Sequence, residues 1–206
     1  MTPKERIVEQ TMEMFVTQGI KSVRMDVIAQ RLGISKRTLY ELFGDKEGLL
    51  YLAMVCYFER NRLRWAELST AAPNVLERLF LVLNDVMEHS ETTSRMMENL
   101  RKFYPAVHER LMRGGSEKNR ADFREMIEQG IADGLFIDNI DIELAITVLY
   151  YTASAITVRK DMILPEGISE RSAFTQIVST FFRGISTAEG ARIIDGFLKR
   201  QQAAQG

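Results

Sequence analysis

The sequence predicts an all-α protein: an N-terminal helix-turn-helix head followed by a larger helical domain. Three observations point there. Apolar residues recur at helical spacing through most of the 206 residues. No alternating run is long enough to read as a strand. Residues 25–44 form two short helical segments around a glycine turn. The expected division is 1–47 for the head and 48–206 for the larger domain.

The elements follow in order. Thr2-Pro3-Lys4-Glu5 is a capping box: Thr2 accepts from the Glu5 amide, Pro3 suits the first helical position, and Glu5 reaches back. Val8, Met12 and Phe15 continue that helix until Gly19. A helix over Met25–Leu32 ends at Gly33, and one behind the N-cap Ser35 runs to Phe43. Gly44-Asp45 breaks it, and Asp45 caps a long helix from Lys46 to about Leu68. Further helices are expected near 74–88, 94–103, 105–112, 116–130, 141–159, 170–185 and 188–200. Gly114-Gly115 is expected to interrupt a helix, and the tail 201–206 to fray.

Residues 25–44 carry the functional signal. Two short helices crossing steeply need a small residue at the crossing, and Ala29 is there. Their turn needs a residue at ease with positive φ, which Gly33 supplies. Ile28, Leu32, Ile34, Leu39 and Leu42 are expected to fill the inner face. The second helix then turns Ser35, Lys36, Arg37, Thr38, Tyr40 and Glu41 outward, a polar and basic end suited to phosphates and base edges. An ordinary helical hairpin with a solvated basic face has the same pattern. The capped helix before it and the Asp45-led helix after it favour the DNA-reading arrangement, since a helix N-terminus beside Lys46 attracts phosphate.

The stretches Gly19–Ala29 and Leu32–Glu47 closely resemble the DNA-binding head of the tetracycline-repressor (TetR/AcrR) family of bacterial transcriptional regulators. Beyond Leu50 the resemblance is weaker and rests on helical character and on Gly130-Ile131-Ala132-Asp133-Gly134-Leu135-Phe136. It implies a homodimer that binds double-stranded operator DNA, usually as a repressor released by a small effector. By matching positions, Lys36, Arg37 and Thr38 are base or phosphate readers, with Ser35 at the same helix end. Tyr40 and Lys46 are phosphate contacts. Arg24 stands where many relatives have a capping Thr or Ser, which weakens the cap and offers a further phosphate contact. Gly48 stands where relatives often carry an acid.

In the larger domain, 141–159 is apolar around nearly its whole circumference, so it must be buried all round. The helix near 170–185 adds an aromatic stripe. Core packing alone accounts for both, but pairing across a two-fold axis does so more easily. The expected interface is Leu149, Ala153, Ile156, Phe174, Ile177, Val178, Phe181 and Phe182. Trp65, Met87, Met97, Phe103, Tyr104 and Met126 are adaptable residues suited to an effector pocket, although such residues also build ordinary cores. The basic cluster 60–65 reads as a solvated helix face, with an acidic effector or an added DNA contact as the alternative.

Composition excludes several classes. The 27 basic and 28 acidic residues give a net charge of −1, so there is no polybasic tail. Between Lys21 and Lys46, however, six basic residues face three acidic ones, leaving +3 there and −4 elsewhere. The single cysteine, Cys56, forms no internal disulfide or cysteine cluster. His89 and His108 have no ligand partner at helical spacing, and no nucleophile or phosphate-loop motif occurs. No catalytic residues, metal or cofactor are therefore expected. The longest charge-free apolar stretch, 144–158, is too short to cross a bilayer. The start resembles no signal peptide, so a cytoplasmic protein is expected. A helical protein-binding adaptor, or less readily a small enzyme, stands as the alternative.

Overall fold

The computed structural model describes residues 2–205, apart from the side chains of 115–117, 202, 204 and 205. The described residues form α1 (Pro3–Gln18), α2 (Met25–Leu32), α3 (Lys36–Phe43), α4 (Lys46–Thr70), α5 (Val75–Glu88), α6 (Ser90–Phe103), α7 (Pro105–Ala132), α8 (Ile142–Thr157), α9 (Glu170–Gly184) and α10 (Ala188–Gln205). Phe136 and Ser186 make an isolated β-bridge. Two compact units result: Met1–Arg64 with Thr92–Ser116, and Trp65–Glu91 with Glu117–Gly206.

Two expectations about helix ends are corrected. Gly114-Gly115 does not break a helix, because α7 runs unbroken through both. Each glycine costs roughly 1 kcal/mol against alanine in a helix, which a helix of 28 residues can absorb when no proline removes a hydrogen bond. Similarly, α10 continues through Gln205 rather than stopping at Arg200. Gly206 lies outside the described residues.

The first unit is organised by α1. Its predicted capping box is present: Thr2 N–H donates to Glu5 Oε2 at 2.8 Å and Glu5 N–H to Thr2 Oγ1 at 3.2 Å. Met12 and Phe15 are buried with Ile20, Val23, Ile28, Leu39, Leu49 and Leu50. Polar ties reinforce this core. Arg60 pairs with Glu13, linking α4 to α1. Arg95 Nη2 donates to Val16 O at 2.8 Å, linking α6 to α1. The Tyr57 and Thr93 hydroxyls lie 2.9 Å apart.

The second unit closes around an aromatic cluster. Phe182 is fully buried, with ring centroids 5.8 Å from Phe80 and 6.0 Å from Phe136, and Phe80 lies 5.3 Å from Phe197. Two glycines allow the chain into this core. A Cβ at Gly130 would overlap the Phe136 ring, and one at Gly190 would overlap the Leu135 carbonyl. The segment after α7 is then tied to the start of α10, with Thr187 N–H donating to Leu135 O and Ile137 N–H to Ile185 O, each at 3.0 Å. Asp141 caps α8 through Leu144 N, and Ser169 caps α9 through Ser172 N.

Candidate nucleic-acid interface

The turn between α2 and α3 forms as its residues demand. Gly33 has φ 64° and ψ 29°, the left-handed region that a side chain enters only at a cost. Its amide bonds Gln30 O, and the Ile34 amide bonds Ala29 O at 3.1 Å, which ends α2. Ala29 is buried, as a close helix crossing requires. Ser35 starts α3: its Oγ accepts from Thr38 N–H at 3.0 Å and lies 2.8 Å from Thr38 Oγ1. Ser35 and Thr38 therefore build the N-terminal end of α3.

Burial orients α3. Leu39 and Phe43, four apart, anchor one face, with Leu39 fully buried. Leu42 does not join them and is 37% exposed, contrary to expectation. Along the helix Leu42 lies about 60° to one side of Leu39 and Phe43 about 40° to the other, and the nearer aromatic ring takes the inner place. Lys36, Arg37, Tyr40 and Glu41 are all exposed. Arg37 Nε reaches Glu41 Oε1 at 2.7 Å along the surface. Such an exposed pair is worth at most about 1 kcal/mol, so the guanidinium is readily released to a phosphate or a base edge. Arg24 precedes α2 with no side-chain cap and lies 3.6 Å from Asp26, where it is open to solvent.

The start of α4 differs from expectation in one respect. Asp45 Oδ1 accepts from Gly48 N–H at 2.8 Å, which supplies the predicted cap. Lys46, however, turns inward. Its Nζ donates to Ile20 O at 2.7 Å and lies 5.9 Å from the Phe15 ring centre and 5.4 Å from that of Tyr104. Gly48 is also more constrained than the sequence indicates, since a Cβ there would overlap the Phe43 carbonyl oxygen. This packing joins α3 to α4, and glycine at a helix start gives no sequence signal for it.

The six residues named for an effector pocket divide between the two units. Met87 and Met126 lie in the core of the second unit. Trp65 belongs to that unit as well, its Nε1–H donating to Asp85 Oδ2 at 2.7 Å. Met97, Phe103 and Tyr104 belong to the first unit, where Met97 is buried and Lys21 lies 5.0 Å above the Phe103 ring.

The eight residues named for an interface divide by burial. Leu149, Ile156, Phe174, Val178 and Phe182 are buried within their own unit, while Ala153, Ile177 and Phe181 are half-buried. Between α8 and α9 runs a small apolar groove of about 50 Å³, with Val148, Ala153, Ile177 and Phe181 in its lining. Beside it Leu144, Val148 and Tyr151 are exposed at 60, 44 and 60%. None of these three exposed residues was among the eight expected, although the apolar circumference of their helix was the available signal.

Among the described residues no group of three or more His, Cys, Asp or Glu could hold a metal. His89 sits at the C-cap of α5, with Nδ1 2.9 Å from Asp85 O. No helix of the described residues is long and apolar enough to cross a membrane.

A capped, basic, outward-facing second helix of a helix-turn-helix on an otherwise all-helical chain defines a DNA-binding regulator of the helix-turn-helix class. Residues 7–51 match the family described as bacterial regulatory proteins, tetR family. No curated protein matches the chain in sequence. Solved structures share the fold over nearly its full length. A TetR transcription regulator from Haloarcula marismortui is 20% identical, with TM-score 0.70, covering 89% of this chain and 98% of that one. A transcriptional regulator from Saccharomonospora viridis, solved with choline, is 18% identical, with TM-score 0.68 and coverage of 89% and 97%. A TetR/AcrR-family regulator from Thermobifida fusca is 24% identical, with TM-score 0.60 and coverage of 88% and 97%.

Proposed function

We propose that this chain is a cytoplasmic, homodimeric repressor that binds operator DNA through α3 and leaves it when a small molecule binds the larger domain. The carrying observation is the polarity of α3. Leu39 and Phe43 lock one side into the head, while Lys36, Arg37 and Tyr40 stay exposed behind the Ser35–Thr38 cap. Residues 1–47 serve as the reading part and 48–206 as the sensing and pairing part. Arg24, Lys36, Arg37 and Tyr40 are the side chains free to meet DNA.

Dimerisation through α8 and α9 is supported by the uncovered Leu144, Val148 and Tyr151 beside an apolar groove. Contiguous exposed apolar residues of this kind mark association surfaces, and a two-fold pairing would bury both copies at once. The relative holding choline supports a small-molecule effector. Met87, Met126 and Trp65 are our candidates for its pocket wall, because thioethers and an indole adapt to varied ligands.

The test is a mobility-shift titration on DNA flanking the protein's own coding region, repeated over a range of salt and with candidate ligands. Affinity should fall by about 0.9 log units per log unit of salt for each phosphate neutralised. Arg37→Ala should alter base preference, and Tyr40→Phe should weaken all sequences alike. Salt-insensitive binding, or no binding to any promoter-sized DNA, would sink the reading.

A further inference from the structure

We infer that Lys46 is a positioning residue that fixes the backbone between α1 and α2, rather than a contact to a DNA phosphate. The inference rests on the DNA-binding reading above and departs from the role that the family resemblance implies for this lysine.

Three observations carry it. The Lys46 ammonium is half-buried and donates to the Ile20 carbonyl at 2.7 Å, a charge-assisted hydrogen bond at good distance. The same group lies over the rings of Phe15 in α1 and Tyr104 between α6 and α7, two further favourable sites for a cation. Finally, the bonded carbonyl belongs to a tightly seated loop. Ile20 and Val23 are buried at 1 and 0% exposure, and α2 begins at Met25 with no side-chain cap of its own. With Arg24 unable to cap, Lys46 supplies an anchor for the entry to α2 from the opposite side of the loop.

The second tie has a consequence for the corner between α6 and α7. Its consecutive aromatics, Phe103 and Tyr104, each lie under a lysine: Lys21 over the first and Lys46 over the second. Lys21 follows Ile20 directly, so both lysines hold the same short stretch of backbone to the same corner. A displaced Tyr104 would free Lys46 and loosen the seat of α2, against which α3 packs. To reach a phosphate instead, Lys46 would have to surrender the Ile20 carbonyl and both rings.

The salt dependence of DNA binding separates the two roles. Fluorescence anisotropy on the DNA identified above, from 50 to 200 mM KCl, should show Lys46→Met binding roughly tenfold more weakly with the wild-type salt slope, as expected for a lost bond to a charged group. Tyr104→Leu, which carries no charge to lose, should weaken binding in the same sense. The double variant should be no weaker than Lys46→Met, because Tyr104 acts through the lysine. A slope smaller by about 0.9 in Lys46→Met would show a neutralised phosphate and overturn the inference, as would additive effects in the double variant. The carbonyl ¹³C resonance of Ile20 gives a reading without DNA: it should move in Lys46→Met and Tyr104→Leu, and an unmoved resonance overturns the inference. If the wild-type chain binds no DNA, the regulator reading fails while this resonance still decides the contact. Should Lys46→Met not fold, the Ile20 resonance in Tyr104→Leu decides the contact.

Discussion

The α2–α3 head and the α8–α9 surface are both amphipathic helix pairs, and they leave opposite faces outside. In the head, Ile28 and Leu39 are fully buried and the exposed side of α3 is polar. On α8, Ile146 and Leu149 are buried, yet Leu144, Val148 and Tyr151 remain exposed on the other side. The head thus completes its core within one chain, while α8 retains apolar surface beyond what its own unit covers. A polar outer face suits a hydrated, charged partner such as DNA, and an apolar one suits a copy of itself.

Substitutions can break this contrast, beginning with the largest effect. Phe182→Ala removes a fully buried ring from the aromatic cluster and should lower stability by about 3–5 kcal/mol in denaturant titrations. Tyr151→Glu, on the exposed face of α8, should instead leave the fold intact and yield monomers in sedimentation. If Tyr151→Glu melts the chain, or leaves a dimer, the distinction between core and pairing face is lost.

Gly48→Ala tests how closely the head is packed. Its new methyl group would strike the Phe43 carbonyl, so a loss of about 1–3 kcal/mol is expected by the same titration. An unchanged midpoint would show that α3 and α4 can separate freely.

Within α3, Leu42→Ser should change stability by no more than about 0.5 kcal/mol. Leu39→Ala should cost about 2–5 kcal/mol. Equal costs would place Leu42 in the core, where the sequence pattern had put it.

The smallest effect concerns pH. Burial, followed by the nearby Arg101, holds His108 below its ordinary pKa in the folded chain. The unfolded chain therefore binds more protons in the window between that lowered value and the ordinary one near 6.5, so stability should rise with pH across it. His108→Gln should flatten that part of the stability profile, and an unaltered slope would refute the assignment.

The head was readable because its determinants are local. Gly33 must take positive φ, Ser35 must cap the amide three residues on, and Ala29 must be small, whatever surrounds them. Direction was less readable. Leu42 and Phe43 compete for one inner place, and residue type does not say which wins until the rest of the head is present. Lys46 illustrates the same limit: a lysine at a helix start suits a phosphate, but here its ammonium meets a backbone carbonyl and two rings. The Gly114-Gly115 expectation failed because helix propensity is a weak local cost that the surrounding helix outweighs.

By itself the sequence determined the helical class, the caps of α1 and α3, the glycine stops of α1–α3, and the basic character of the reading end, because each follows from hydrogen bonds or φ preferences within a few residues. Tertiary structure alone decided which apolar residues each helix buries, that Lys46 points inward, that Gly48, Gly130 and Gly190 stand where no Cβ fits, and that the proposed pocket residues fall in two units. Those outcomes depend on contacts between residues far apart in the chain, and neither spacing nor composition encodes which of several suitable neighbours comes closest.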